Sequence, residues 1–307
     1  MLRNRPVNDF FPGLRTRWRC CAFAAALTLA LAGCGPAPPV PGDSPAAAQL
    51  TMEAQQLASM GRVNEAMARL AEAKRADPRA TAPYLAQAQL LERSAHGREA
   101  FEQLAAAHAV APQDAGVTLA LLREMPPSYP AAEKEALARQ AVAQAPASGE
   151  AHYLLAQAVV ERADPPRYSE ALREFEEASR LAPGSAVTLI DKARLYSRMG
   201  DDRRASATLG LAAYILEQQP VHGPVPIQAL EEWLKQRRAA AFWLAQAAQR
   251  LGRAADVRAR QAEAARLSEA AAELRRLKDR AGAVPPDPAA RARLAHIEHR
   301  GVDAWNR

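Results

Sequence analysis

The chain has 307 residues, enough for about two average domains or one elongated one. Hydrophobic residues are 49% of it, aromatics only 5% and charged residues 24%, a balance that argues against both an all-β protein and a disordered chain. Its net charge of +6 is concentrated in the first 33 residues, where five arginines face one aspartate; the remainder carries +2 and has no electrostatic basis for nucleic-acid binding.

Residues 2–19 are basic and irregular, and residues 20–32 form an uncharged apolar run. A helix of that length reaches about 20 Å, short of a hydrocarbon core of roughly 30 Å. Residues 1–33 therefore read as a secretory signal peptide; a buried core helix is disfavoured by the proline-rich stretch that follows. The sequence Leu31-Ala32-Gly33-Cys34 resembles the lipobox of bacterial lipoproteins. The resemblance implies cleavage between Gly33 and Cys34, with acyl chains on the Cys34 thiol and on the new amino terminus. Two or three chains anchor stably where one does not. In such lipoproteins Asp after the cysteine often signals inner-membrane retention. Gly35 here favours the outer membrane, facing the periplasm. Cys20 and Cys21 would leave with the leader, so no thiol remains for a disulfide, a zinc site or a nucleophile. Residues 34–45 are proline-rich and read as an extended tether.

The body repeats with a period of 34 residues: Ala66 and Ala100; Ala73, Ala107 and Ala141; Pro78, Pro112 and Pro146; and Gln55, Gln89, Arg123 and Gln157. Gly61, Ala66, Leu70, Ala73 and Pro78 set the pattern. Ala171, Phe175, Ala178 and Pro183 repeat it without the glycine, and Gly200, Ala205, Leu209 and Ala212 without the proline. These units resemble tetratricopeptide repeats (TPR). The third is weak, with Lys134 in place of the first alanine and residues 125–130 (MPPSYP) breaking its turn. A sixth, degenerate unit has Gly252 but Val257 where alanine belongs.

The resemblance implies an all-α, right-handed α-solenoid of stacked helical hairpins. The parse is an array of about five repeats over 46–218, a Pro/Gly break at 219–226, long TPR-like helices over 227–282, and a break with a short helix over 283–307. Small residues would sit where helices approach closely, and larger ones would fill the gaps between hairpins. One hairpin cannot bury its own apolar face, so neighbours build a continuous core, and the charged C-terminal part would cap it.

Catalytic features are weak: there is no phosphate-cradling glycine loop, nucleophile elbow or Cys/His metal spacing, and no cofactor or metal is expected. His296 and His299 lie three apart without identified further ligands. His96 and His108 read as surface histidines. Glu174, Glu176 and Glu177 read as a solvated helix face, as does the run Arg275, Arg276, Lys278.

In TPR folds the first helices line the concave surface. By that analogy Gln55, Gln89, Arg123, Gln157, Arg194 and Gln246 form a polar row, with Leu85, Leu119, Tyr153, Ile190 and Phe242 an apolar row one turn earlier. Two readings stand. The rows form a groove holding a partner protein's backbone and side chains, or the polar row is solvated and the apolar row is packing. The TPR clamp for acidic C-termini needs a Lys and Asn set that is not evident here. A non-enzymatic, lipid-anchored interaction scaffold for envelope assembly, secretion, pilus building or peptidoglycan machinery is the first expectation. A small-ligand or glycan-binding lipoprotein using Tyr153, Trp233, Phe242 and Trp243 as stacking surfaces is the alternative. An enzyme with an unrecognised site is a third.

Overall fold

The computed structural model describes residues 44–162, 167–219, 224–283 and 287–305. The expected leader, the acylation position Cys34, tether residues 35–43 and part of the break at 219–226 lie outside these. Thirteen α-helices are found among the described residues: α1 Pro45–Ser59, α2 Val63–Ala76, α3 Ala82–Arg93, α4 Gly97–Val110, α5 Ala115–Arg123, α6 Ala131–Gln144, α7 Gly149–Arg162, α8 Tyr168–Leu181, α9 Ala186–Arg198, α10 Asp202–Glu217, α11 Ile227–Arg250, α12 Ala254–Ala281 and α13 Pro288–Arg300. A 3-10 turn, Val302–Trp305, follows. None of the described helices is long and apolar enough to cross a membrane. The chain divides into two compact units at Leu90/Leu91.

The 34-residue pattern becomes hairpins through two recurring stops. First helices end where the backbone turns left-handed: Gly61, Gly200 and Gly252 have φ of 77°, 80° and 70°. The next residue's N–H then reaches back to the helix, as Arg62 donates to Leu57 O and Asp201 to Tyr196 O, both at 2.9 Å. Ala95, 34 residues after Gly61, adopts φ 60° at the same position, and His96 N–H donates to Leu91 O. Second helices stop before Pro112, Pro146 and Pro183, which have no N–H to continue the ladder. Asp114 and Ser185 then cap the next helix with their side chains, accepting from Val117 and Thr188 N–H.

In the first unit, Ala54, Ala66, Leu70, Ala86 and Leu90 form one buried cluster. In the second, Ala100, Leu104, Ala107, Ala138, Ala141, Ala171, Phe175, Ala178, Ala205, Leu209 and Ala212 are all at most 2% exposed. The small residues are therefore where helices meet. Gly149 shows how close that approach is: a β-carbon there would lie 3.0 Å from Ala182 Cβ and 3.1 Å from Ala178 O.

The third unit departs from the pattern by building an ionic node. Lys134, at the missing alanine's position, pairs with Glu161 at 2.8 Å. Beside it Glu135 is 2% exposed and meets Arg139, Arg162 and Arg167 at 2.8, 2.9 and 2.7 Å. Burial pushes the Glu135 carboxyl up, but the three guanidiniums outweigh it and hold it at about 2. The longer turn is packed as well: Met125 is buried, and Tyr129 meets Phe101 edge-on at 5.7 Å.

The long helices α11 and α12 pack on each other and on α10 and α13. Trp233 touches both apolar clusters of this region, and its Nε1 donates to Leu216 O at 2.8 Å. The C-terminal turn is fastened to α12, with Trp305 Nε1 donating to Glu273 at 2.6 Å.

Candidate functional site

First helices of successive hairpins in the second unit lie side by side: α5 touches α7, and α9 touches α11. Three members of the two rows meet there around a residue outside both, Asp191. The Tyr153 hydroxyl donates to Asp191 Oδ2 at 2.9 Å, and Gln157 Nε2 donates to the same oxygen at 3.0 Å and to the Tyr153 hydroxyl at 2.6 Å. Arg194 Nη1 donates to Asp191 Oδ1 at 2.8 Å. Burial first, then the Asp191 charge and hydrogen bond, push the Tyr153 phenol well above its ordinary range, so it stays a donor.

Arg194 also links to the next hairpin. Its guanidinium carbon lies 5.2 Å from the centroid of Trp243, whose ring meets Phe242 edge-on at 5.4 Å. The Arg194 Nε is buried with no hydrogen-bond partner among the described residues. A cleft of about 330 Å³ opens here, lined by Gln157, Val160, Phe175, Asp191, Arg194 and Arg198 among others. A second, of about 170 Å³, is lined by Phe242, Gln246, Gln249 and Gln261. Phe242 is 49% exposed, an unusual position for a large aromatic ring.

The remaining row residues are dispersed. Arg123 pairs with Glu150 at 3.1 Å. Leu119 and Ile190 are buried, so they contribute packing. In the first unit Gln55 and Leu85 are half-buried and Gln89 is exposed. Trp233 is committed to the core and to Leu216, which removes it from any stacking surface.

Sequence reasoning missed Asp191 and Arg198. The available signal was that Asp191 stands 34 residues after Gln157. It also missed His152, which is buried between Glu174, 2.7 Å from Nδ1, and the Pro146 carbonyl, 3.1 Å from Nε2. Glu174 is therefore engaged, where the sequence suggested a solvated face. His108 is half-buried near Thr118 rather than on the surface, and burial lowers its pKa. Among the described residues no group of three or more His, Cys, Asp or Glu could hold a metal ion.

No family model matches the sequence, and no curated protein matches it. Solved structures do. PilW, a widely conserved type IV pilus biogenesis factor, aligns with TM-score 0.55 and 15% identity over 72% of this chain and 92% of that one. The APC/C hetero-tetramer Cut9-Hcn1 aligns with TM-score 0.55 and 11% identity over 74% of this chain and 42% of that one. YrrB, a TPR protein with an unusual peptide-binding site, aligns with TM-score 0.47 and 17% identity over 55% and 86%. At such identities the likeness concerns fold alone. The likeness in fold to PilW and Cut9-Hcn1, taken with the hairpins and their repeat register, makes the chain an all-α protein of sequential TPR-type hairpins.

Proposed function

We propose that this chain is a non-enzymatic protein-interaction scaffold, held to a bacterial envelope membrane by acyl chains on Cys34 and facing the periplasm. The observation that carries the interaction reading is the open face of α7, α9 and α11. There a half-buried polar cluster around Asp191 lines one cleft and an exposed Phe242 lines another. Hydrogen-bonding side chains beside an exposed aromatic suit the backbone and side chains of a partner protein. The lipid reading is supported by Leu31-Ala32-Gly33-Cys34 at the end of an apolar run. Anchoring would raise the scaffold's effective concentration for partners at the same membrane. PilW, of like fold, is a pilus biogenesis factor, so pilus assembly stands beside secretion and peptidoglycan machinery among the processes to test.

The test is photo-crosslinking in intact cells from a benzoyl-phenylalanine placed at Phe242 or Gln157, with one at exposed Tyr214 on α10 as control. Adducts specific to the first two positions are expected, and equal labelling from all three rejects the groove. Radiolabelled palmitate should enter the exported protein and be lost in Cys34→Ala; label retained in that variant rejects the anchor.

A further inference from the structure

The cleft between α7 and α9 is lined by two arginines and two carboxylates, but both carboxylates are engaged elsewhere and one arginine side chain has no partner among the described residues. Glu161, on its lining, is taken by Lys134 at 2.8 Å. Asp191 is taken by Tyr153, Gln157 and Arg194. Arg198 is exposed, and its side chain makes no hydrogen bond or ion pair among the described residues. It lies one turn beyond Arg194 on α9, so the two guanidiniums share a face. Arg194 is already held by Asp191 and lies against Trp243, and part of its side chain stays exposed. Val160, Phe175 and Leu195 give the same cleft an apolar lining.

We propose that this cleft captures a carboxylate side chain, Asp or Glu, from an extended segment of the partner protein; the proposal rests on the groove reading above. A guanidinium presents N–H groups in a fork that matches a carboxylate and forms charge-assisted hydrogen bonds with it. Asp191 and Glu161 stand in the lining, so a doubly charged phosphate meets more repulsion than a singly charged carboxylate. The arginine pair sits mid-row, with Gln157 on the α7 side and Phe242 and Gln246 on the α11 side. A segment crossing this face continues in both directions from the arginines, so the captured carboxylate belongs to a side chain rather than to a chain end. The methylenes of a Glu lie on the apolar lining, and the next apolar residue meets Phe242.

The test uses the detergent-solubilised full chain and a set of peptides blocked at both ends. Each carries one central Glu flanked by every pairing of Leu, Phe, Val and Ala, and each has a Gln counterpart and a Glu-free counterpart with a free C-terminal carboxylate. Calorimetric titration should find at least one Glu peptide binding tenfold or more tighter than its Gln partner. Arg198→Gln should erase that preference with an unchanged circular dichroism spectrum, and 0.5 M salt should weaken it. The inference is overturned if Gln and Glu peptides bind alike, if only the free-carboxylate peptides bind, if none bind, or if Arg198→Gln keeps the preference. A position-specific crosslink at Phe242 alongside any of these results leaves the groove standing while removing carboxylate capture; loss of both removes the groove itself.

Discussion

Ala95 stands one repeat after Gly61 and adopts the same left-handed backbone, φ 60° against 77°. Gly61 makes that turn without a β-carbon, whereas Ala95 carries one into a region that disfavours it by about 1–2 kcal/mol. Ala95→Gly should therefore stabilise the protein by about 0.5–1 kcal/mol after the entropy glycine adds to the unfolded chain. Gly200→Ala should destabilise by a similar amount. Urea midpoints at matched slopes measure both, and a fall in midpoint for Ala95→Gly contradicts the account.

Glu135 links acid stability to the third hairpin. Its folded-state value of about 2 lies below the ordinary 4.5, so its contribution is fully present above pH 4.5 and fades as pH falls towards 2. The three arginines are partly exposed, at 48, 50 and 37%, so solvent screens the node and about 2 kcal/mol is expected. Glu135→Gln should destabilise by about that amount at pH 7 and flatten the profile between pH 4.5 and 2. Parallel profiles for the two proteins would remove the node from the acid response.

Gly149 is needed for lack of a side chain rather than for an unusual backbone. The atoms a β-carbon would meet belong to Ala178 and Ala182 at the end of α8, two of them backbone. Gly149→Val should cost about 1–3 kcal/mol through forced separation of α7 and α8, and this overrides the small gain in helix propensity. Thermal unfolding reads the loss.

Trp233 joins two clusters and satisfies the Leu216 carbonyl. Trp233→Phe keeps the aromatic contact but removes the indole donor from a carbonyl that also accepts from Gln219 N–H, at a cost of about 0.5–1.5 kcal/mol. Amide exchange should quicken in the last turn of α10 and the first of α11, while α7 and α8 are unaffected; uniform quickening would place the effect elsewhere.

The sequence determined the hairpins themselves. The same small residues recur at the same offsets, as at Ala66, Ala73, Ala100 and Ala107, and the same stops recur at Gly61, Pro112 and Pro146. Close helix approach and helix termination are local requirements, so a periodic sequence displays them. The ends of α11, α12 and α13 were legible for the same reason, from Pro226, Gly252 and the break near Asp287.

Which polar groups meet was decided only by the tertiary structure. Tyr153 and Asp191 lie 38 residues apart, Arg162 and Glu135 27, and His152 and Glu174 22. Apart from Gln157 and Asp191, which stand one repeat apart, no common offset announces such pairs, because each depends on how two helices are rotated against each other. The same rotation buries Leu119 and Ile190 and exposes Phe242, although all three were expected in one row. A helix enclosed by neighbours on several sides has a narrow open face. A few degrees of rotation then decide whether a side chain packs inside or faces a partner, and those degrees follow from the packing of the whole array.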